Sequence, residues 1–583
     1  HTFAEVIQHI EENYSNPKAF NSLENDHWRH ISTESFIFDL KRLTHALVSF
    51  GLRRGDKVGI LAKSSPEWNI ADFAIIMAGG ITVPLFARIS DESLIYEVAQ
   101  ANIRFLFVQG EKQWDLYDKH RNLFEKVIGL DDLGDVAGAM KYHEFLQMGE
   151  LFWEKNPKLW DELAHKLNSD DVATIIYTSG ATGIPKGVEI THKNLCHLIS
   201  FPVFGWRKSD SYLSILPLAH VFARQINLIL IAWGISVYYL NDLSRMVPVC
   251  REIKPSLMIV VPRVLEKILS AMEAKIASVK NRFTRWLATW AFNLAKDPNE
   301  SLLKRFILRP IANLLVYTPL RRTFGGKWRV IICGGAALDQ ELNHFYVHAG
   351  FPIYEGWGLT EGSTPIVNTP GKVKLGFIGR PLPGIKVKLA EKDEVLIGGP
   401  TVMKGYYRNP GATQEAIDEE GWLHTGDKGA IDEEGFVRLI GRVKEQFKLS
   451  SGEYLVPSRI EHMLCQNPLI DMAMVIGEKR KYASCLLFPD MGALKRIQKE
   501  QKMEDLSDEE FLKSPYVVEE IEKLLEKINK RINSWERVVK HRFILEAPTI
   551  EGGEMTPTLQ LKRDIILQKF QDVVSNIYGE KTT

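Results

Sequence analysis

Tyr177-Thr-Ser-Gly-Ala-Thr-Gly-Ile-Pro-Lys-Gly-Val188 follows directly on the strand-like run Val172–Ile176. Three hydroxyl side chains (Thr178, Ser179, Thr182), three glycines (Gly180, Gly183, Gly187) and Lys186 fall inside it. Glycines let backbone N–H groups turn inward as an anion-binding nest, hydroxyls donate to phosphate oxygens, and lysine supplies a point charge. The stretch reads as a triphosphate cradle. A Walker A loop would run G-x-x-x-x-G-K-[ST] and lead into a helix. Here Pro185 precedes the lysine, Gly187 follows it, and Val188-Glu-Ile190 reads as extended, so the kinase and G-protein readings weaken. A surface turn of ordinary turn residues would not bring hydroxyls, glycines and lysine together.

Around the cradle, through the first 440 residues, short branched and aromatic runs alternate with helical patterns. That alternation is the signature of βα units stacked into parallel sheets. In one unit Lys57–Leu61 is a strand, Pro66–Gly79 a helix with proline in its first turn and glycine at its end, and Ile81–Leu85 a strand again. Further strands are expected at Phe105–Val108, Thr174–Tyr177, Ser211–Leu216, Ile235–Tyr239, Leu257–Val260 and Arg329–Cys333. Ile226–Leu240 is too short and too interrupted to span a bilayer and reads as a buried helix turning into a strand. Gly398–Gly441 is turn-rich, and beyond it come helix, two strands, charged helices, strand and helix. The expected fold is α/β: a large domain, 1–441, of stacked βα sheets with a β-barrel-like subdomain at about 371–441, then a small α+β domain, 442–583.

The chain has 583 residues, which at roughly 150 per domain suggests about four units. Its 73 basic residues balance 73 acidic ones, which excludes a protein that coats nucleic acid by counterion release, and 45% hydrophobic residues exclude a disordered chain. Cys196, Cys250, Cys333, Cys465 and Cys485 are scattered, with no CxxC pair. They read as reduced residues of a cytoplasmic protein, neither a disulfide framework nor a zinc site. The N-terminal stretch has acids in its first turns and no basic-then-apolar order, so no signal peptide is expected. One segment departs from neutrality: Ala271–Arg329 carries twelve basic residues against three acidic ones, with Phe283, Trp286, Trp290, Phe292, Phe306 and Ile307 among its apolar residues. It reads as a helical insertion with either an ordinary solvated face or a face for the inner surface of a membrane.

The cradle resembles the phosphate loop of the adenylate-forming superfamily: acyl-CoA synthetases, peptide-synthetase adenylation domains and beetle luciferases. Ala181 stands where that family usually has threonine. The family's other motifs follow in order. Leu216-Pro-Leu-Ala-His220 resembles the carboxylate-side loop, whose histidine lines the acyl site; Ala223-Arg224 follows where long-chain members often have an acidic residue before the arginine. Cys333-Gly-Gly-Ala-Ala337 and Tyr354-Glu-Gly-Trp-Gly-Leu-Thr-Glu361 resemble the pair that sandwiches adenine. The resemblance gives Gly334, Gly335, Ala336, Glu355, Gly356, Trp357 and Gly358 to the nucleotide, Thr360 to its α-phosphate and Glu361 to Mg²⁺, an ion that prefers oxygen ligands.

Gly421-Trp-Leu-His-Thr-Gly-Asp427 resembles the ribose-binding turn, where a carboxylate suits a vicinal diol. Gly441-Arg-Val-Lys-Glu445 resembles the interdomain linker, with Arg442 on the nucleotide and Lys444 at the hinge. Ser451-Gly-Glu453 lies in a loop like the one presented to the thiol substrate. Met555-Thr-Pro-Thr-Leu-Gln-Leu-Lys-Arg563 resembles the catalytic-lysine motif of long-chain acyl-CoA synthetases and makes Lys562 the candidate. What the resemblance implies is ATP- and Mg²⁺-dependent activation of a fatty acid to acyl-AMP, then transfer to coenzyme A. Acyl carrier protein is the alternative acceptor, and a non-catalytic acyl-nucleotide scaffold is the reading from another class.

Overall fold

The computed structural model describes residues 1–131, 138–179, 184–297, 301, 303–442, 447–451, 453–556 and 560–579, with the backbone alone at Ser179, Arg305 and Tyr454. Contacts group His1–Ala390, Val395–Thr425 and Ile431–Arg438 into one unit, and Glu391–Glu394, Gly426–Ala430 and Leu439–Thr583 into a second.

Two large sheets build the first unit. The nine-stranded sheet runs Arg380–Pro381, Ser363–Val367, Ile353–Leu359, Val330–Cys333, Leu257–Val260, Ser211–Ser214, Ser236–Tyr239, Phe20–Glu24 and His27–Ile31. The eight-stranded sheet runs Gly405–Tyr406, Pro185–Thr191, Val172–Ser179, Ile81–Leu85, Lys57–Leu61, Ile103–Val108, Lys126–Gly129 and Ala139–Met140. Pairing is parallel through the middle of each and antiparallel at the margin that carries the motif loops. The expected strands are present, with ends unmoved or moved by one or two residues.

Helix Pro66–Met77 starts on Ser65, whose hydroxyl accepts the Trp68 N–H, and every one of its residues is buried. It packs against strands Lys57–Leu61 and Ile81–Leu85 of one sheet and Phe20–Glu24 of the other. Helix Val221–Ala232, also buried throughout, lies on the nine-stranded sheet. Helices covered on all sides cannot send polar side chains to water, so each such side chain must find a partner inside. Asn227 donates to Asn69 Oδ1 at 2.7 Å, and Asn69 donates to Tyr239 Oη at 2.7 Å. Arg224 Nε donates to Asp72 Oδ2 at 2.9 Å, Nη2 reaches Asp72 Oδ1, and Nη1 donates to Thr174 Oγ1 at 2.6 Å. The arginine therefore ties both buried helices to the strand that enters the phosphate loop.

Segment 271–329 holds the end of helix Pro262–Ala277, helix Arg282–Lys296 and a run of turns from Lys304–Leu308 through Thr318–Thr323. The second unit centres on a three-stranded sheet, Ile470–Ile476, Ala483–Pro489 and Val538–Phe543, with an apolar cluster on each face. Helices Pro457–Leu464 and Pro515–Asn529 contribute to one cluster, and Arg563–Lys569 and Gln571–Tyr578 to the other. All five cysteines are free thiols.

Removing one partner of a buried pair strands the other charge. Asp72→Asn is expected to lower unfolding free energy by about 3–5 kcal/mol, and Asp72→Leu combined with Arg224→Met by clearly less. Urea unfolding followed by circular dichroism measures both; a double variant no better than the single one would contradict the buried-pair account.

Candidate active site

Strands Val172–Ser179 and Pro185–Thr191 form an antiparallel hairpin in which Thr178 stands opposite Lys186. Gly180, Ala181, Thr182 and Gly183 lie outside the described residues, so the hairpin fixes the two stems of the phosphate loop. Strand Gly405–Tyr406 adds to the outer edge, pairing Tyr406 with Val188. Its register brings the Tyr406 ring within 4.9 Å of Lys186 Nζ. The same phenol donates to Glu361 Oε1 at 2.7 Å, and Met403 N–H donates to the Glu361 carbonyl at 2.7 Å. Burial first, and the Glu361 charge second, hold the Tyr406 phenol above its ordinary pKa, so it stays a donor. The phosphate-loop lysine and the expected metal carboxylate thus share one tyrosine. Sequence reasoning missed that role because Tyr406 lies more than 200 residues from Lys186 and reaches it only through strand pairing.

A narrow, largely apolar cavity of about 50 Å³ opens beside this cluster. His220, Gly334, Gly335, Gly356, Trp357 and Gly358 line it, joined by Phe201, Phe204, Trp206, Phe222, Ile226 and Leu382. Strand Val330–Cys333 delivers Gly334 and the parallel strand Ile353–Leu359 delivers Gly356 and Trp357. A Cβ on Gly334 would sit 3.2 Å from both the Gly356 carbonyl and the Phe222 ring, so only glycine leaves that wall bare backbone. A Cβ on Gly358 would sit 2.1 Å from the Ser363 carbonyl, which is what lets the strand fold back tightly around Thr360 and Glu361.

His220 caps helix Val221–Ala232: its Nδ1 accepts the Phe222 N–H at 3.2 Å. A backbone N–H can only donate, so Nδ1 is unprotonated and the ring proton sits on Nε2. Burial pushes this imidazole down to about 4, which keeps it neutral at pH 7. Gln225 and Thr364 are coupled nearby, Thr364 Oγ1 donating to Gln225 Oε1 at 2.7 Å. Arg224, by contrast, points into the protein interior, and the acidic partner that does not precede it in sequence is supplied by Asp72.

Glu355 is buried, and its carboxyl is held by the Leu338 N–H and by Asn343 at 3.4 Å, with burial pushing it up to about 7. It braces the Gly334–Leu338 loop instead of lining the cavity. Ala336 is exposed on that loop.

In the second unit, Arg442 Nε lies 3.3 Å from the buried carboxylate of Asp427. Met555 and Leu561 pair in a short bridge, and Lys562, the candidate lysine, caps helix Arg563–Lys569 with its N–H on the Glu554 carbonyl at 2.8 Å. Glu554 is neutralised by Lys569 at 2.5 Å, not by Lys562. Ser451 and Glu453 lie exposed between strands Phe447–Lys448 and Tyr454–Leu455, the Ser451 hydroxyl and a backbone N–H holding the Glu453 carboxyl below its usual range. Gly452 and Lys444 lie outside the described residues.

Glu361 fits Mg²⁺ as a ligand: with Oε1 oriented by Tyr406, its other oxygen is a hard donor of the kind that ion shares with phosphates and water.

Residues 9–407 match the family model described as AMP-binding enzyme, and residues 444–582 match the AMP-binding enzyme C-terminal domain. The long-chain-fatty-acid–CoA ligase FadD15 of Mycobacterium tuberculosis is 31% identical over 568 residues, 95% of this chain and 93% of that protein. The human long-chain-fatty-acid–CoA ligase ACSBG1 is 29% identical over 615 residues, covering 97% and 84%. Among solved structures, the adenylation domain of a carboxylate reductase from Mycobacterium chelonae superposes with a TM-score of 0.75 at 19% identity, covering 100% of this chain and 91% of that one. The anthranilate CoA ligase AuaEII with anthranoyl-AMP gives 0.72 at 20% identity, covering 99% and 98%.

The His220 assignment is testable by titration. Between about pH 4 and 6.5 the unfolded imidazole binds a proton that the native one refuses, so this residue's contribution to stability is complete above 6.5 and is lost as pH falls toward 4. Histidine NMR, assigned with His220→Asn, should give a midpoint near 4; a midpoint at or above 6 would contradict the neutral tautomer with its proton on Nε2.

Proposed function

Because this chain belongs to the AMP-binding enzyme family, we propose that it activates a fatty acid with ATP to acyl-AMP and pyrophosphate. It then passes the acyl group to the thiol of coenzyme A, giving acyl-CoA and AMP. The observation that carries this reading is the apolar cavity walled at one side by bare Gly334 and Gly356 backbone and by neutral His220. Two long-chain-fatty-acid–CoA ligases among its relatives support the acyl class.

A carboxylate is a poor electrophile and first needs a better leaving group. Its oxygen attacks the α-phosphorus of ATP, pyrophosphate leaves, and charge builds on the phosphoryl oxygens. Thr178, Ser179, Thr182, the backbone of Gly180, Ala181 and Gly183, and Lys186 hold the phosphates. His220, carrying its proton on Nε2, offers a neutral donor to the carboxylate and so leaves its oxygen nucleophilic. Mg²⁺ bound at Glu361 would supply neutralising charge at the triphosphate. Thr360 contacts the α-phosphate, Trp357 stacks on adenine, and Asp427 and Arg442 hold the ribose. Lys562 places its ammonium on the phosphoryl group during adenylation. Thiolysis then breaks the carbonyl–oxygen bond of the adenylate and releases AMP. The lysine and the thiol need the same space, so residues 442–583 act as a lid that pivots at Lys444 between half-reactions. Ser451, Gly452 and Glu453 meet the thiol substrate.

Acyl carrier protein remains a second acceptor because the turn Glu478–Lys481 exposes Lys479 and Lys481 and is tied to the same hairpin, Lys479 N–H on the Lys448 carbonyl at 2.8 Å. A lipid surface is a further partner, supported by the basic segment 271–329. No helix among the described residues is long and apolar enough to cross a membrane.

A panel of medium- and long-chain acids, assayed with ATP, Mg²⁺ and either acceptor, should yield AMP and a thioester; no product from any acid would sink the reading. Lys562→Ala should lose at least about a hundredfold in acid-dependent pyrophosphate–ATP exchange yet still make thioester from supplied acyl adenylate. Tyr406→Phe should raise the Mg²⁺ concentration needed for half-maximal exchange by about tenfold; an unchanged Mg²⁺ dependence would remove Tyr406 from the site.

A further inference from the structure

Resting on the lipid reading just given, we propose that the chain anchors to a bilayer of anionic phospholipid through an apolar ridge on helix 303–318, seated beside the exposed start of helix Arg282–Lys296, with cations only at its rim. Many of the segment's cations are spent inside the protein. Lys296 pairs with Glu273 at 2.7 Å and Lys304 with Asp297 at 2.5 Å. Arg309 meets His348, Arg321 reaches Asn313 and the Ala349 carbonyl, and Arg329 pairs with Asp210.

What faces out is hydrocarbon. Leu303, Phe306, Ile307, Ile311, Leu314 and Leu315 are all exposed, Phe306 at 66% and Leu314 at 73%. The opposite face holds buried Ala312 and Tyr317, whose hydroxyl donates to the Ala291 carbonyl at 2.6 Å and fastens this helix to Arg282–Lys296. An amphipathic helix on a soluble protein turns its apolar stripe inward; this one turns it outward. On helix Arg282–Lys296 the buried residues are Ala291, Phe292, Leu294 and Ala295, while Phe283 (68% exposed) and Trp286 (59%) stack with each other at 5.9 Å between rings.

The winding keeps the ridge straight. Leu303, Ile307, Ile311 and Leu315 recur every fourth residue, as do Phe306, Pro310 and Leu314. A helix of about 3.6 residues per turn would carry such a series gradually around the axis. Here π turns at Lys304–Leu308 and Asn313–Tyr317 alternate with α turns at Arg309–Ala312 and Thr318–Thr323, and the wider turns offset that drift.

Charge complementarity selects the occupant. Lys280, Arg282 and Arg285 are exposed next to Phe283 and Trp286 at the start of helix Arg282–Lys296, and Arg322, which follows the ridge in the chain, is exposed too. The two acids of segment 271–329 among the described residues, Glu273 and Asp297, are both paired to lysines. Hydrocarbon flanked by cations matches acyl chains beneath anionic headgroups.

The test is co-sedimentation of the full chain with vesicles of phosphatidylcholine alone or with phosphatidylglycerol, at about 0.1 M and about 1 M NaCl, where screening shortens from about 10 to 3 Å. The expected result is binding to the anionic vesicles that persists in high salt. Phe306→Ser with Leu314→Ser should lower it at least about tenfold, and Phe283→Ser with Trp286→Ser should do so independently, with pyrophosphate exchange on a medium-chain acid unchanged. Arg282→Gln with Arg285→Gln should matter only at low salt. Binding abolished by high salt and indifferent to the serine pairs would overturn the ridge while leaving the lipid reading intact. No binding to either vesicle would overturn both. A concentration-dependent dimer that the serine pairs make monomeric, without vesicle binding, would assign the ridge to a second copy instead.

Discussion

Asp72, Arg224 and Thr174 meet in a place closed to water, and much of the first unit is organised around that meeting. Arg224 belongs to the helix that begins at His220, Asp72 to the helix between strands Lys57–Leu61 and Ile81–Leu85, and Thr174 to the strand that runs into the phosphate loop. An arginine buried there must have both a carboxylate and a further acceptor in fixed positions. Satisfying it sets the histidine helix, the adjoining sheet and the start of the loop in one register. The Asn227–Asn69–Tyr239 chain repeats the tie one turn further on. Chemistry at the margin of the sheets is positioned by polar groups in their middle.

From that base the site is assembled by strand ends. Parallel pairing of Val330–Cys333 with Ile353–Leu359 brings two glycine backbones face to face, and the missing side chains open a wall against which a flat ring can lie. Antiparallel addition of Gly405–Tyr406 places one phenol between Lys186 and Glu361. The cation and the carboxylate thus share one neighbour, the ring facing Lys186 and the hydroxyl donating to Glu361.

Much of this was legible in the sequence. The alternation of strand and helix runs foretold the stacked sheets, and Gly334, Gly356, Trp357 and His220, read from motif order, do line one cavity. What could not be read was pairing across long separations. Asp72 precedes Arg224 by 152 residues, and nothing local announces that a carboxylate in one helix answers an arginine in another. Tyr406 likewise reaches Lys186 and Glu361 only through strand pairing. Glu355 looked like a contact for the nucleotide, whereas its burial and the Asn343 bond make it a brace. In segment 271–329 composition drew attention to the cations, but only the folded helices reveal which are already paired and that the apolar stripe points outward. Periodicity gives a stripe; it does not say which way the stripe faces.

The central claim is that a carboxylate oxygen becomes bonded to the α-phosphorus of ATP within this site. Supplying a fatty acid labelled with ¹⁸O in both carboxyl oxygens, with ATP, Mg²⁺ and coenzyme A, and weighing the AMP formed reads that bond directly. The account predicts one ¹⁸O in the AMP phosphate for every thioester made, because thiolysis leaves the bridging oxygen on phosphorus. Label appearing in inorganic phosphate, or AMP without label, would contradict it.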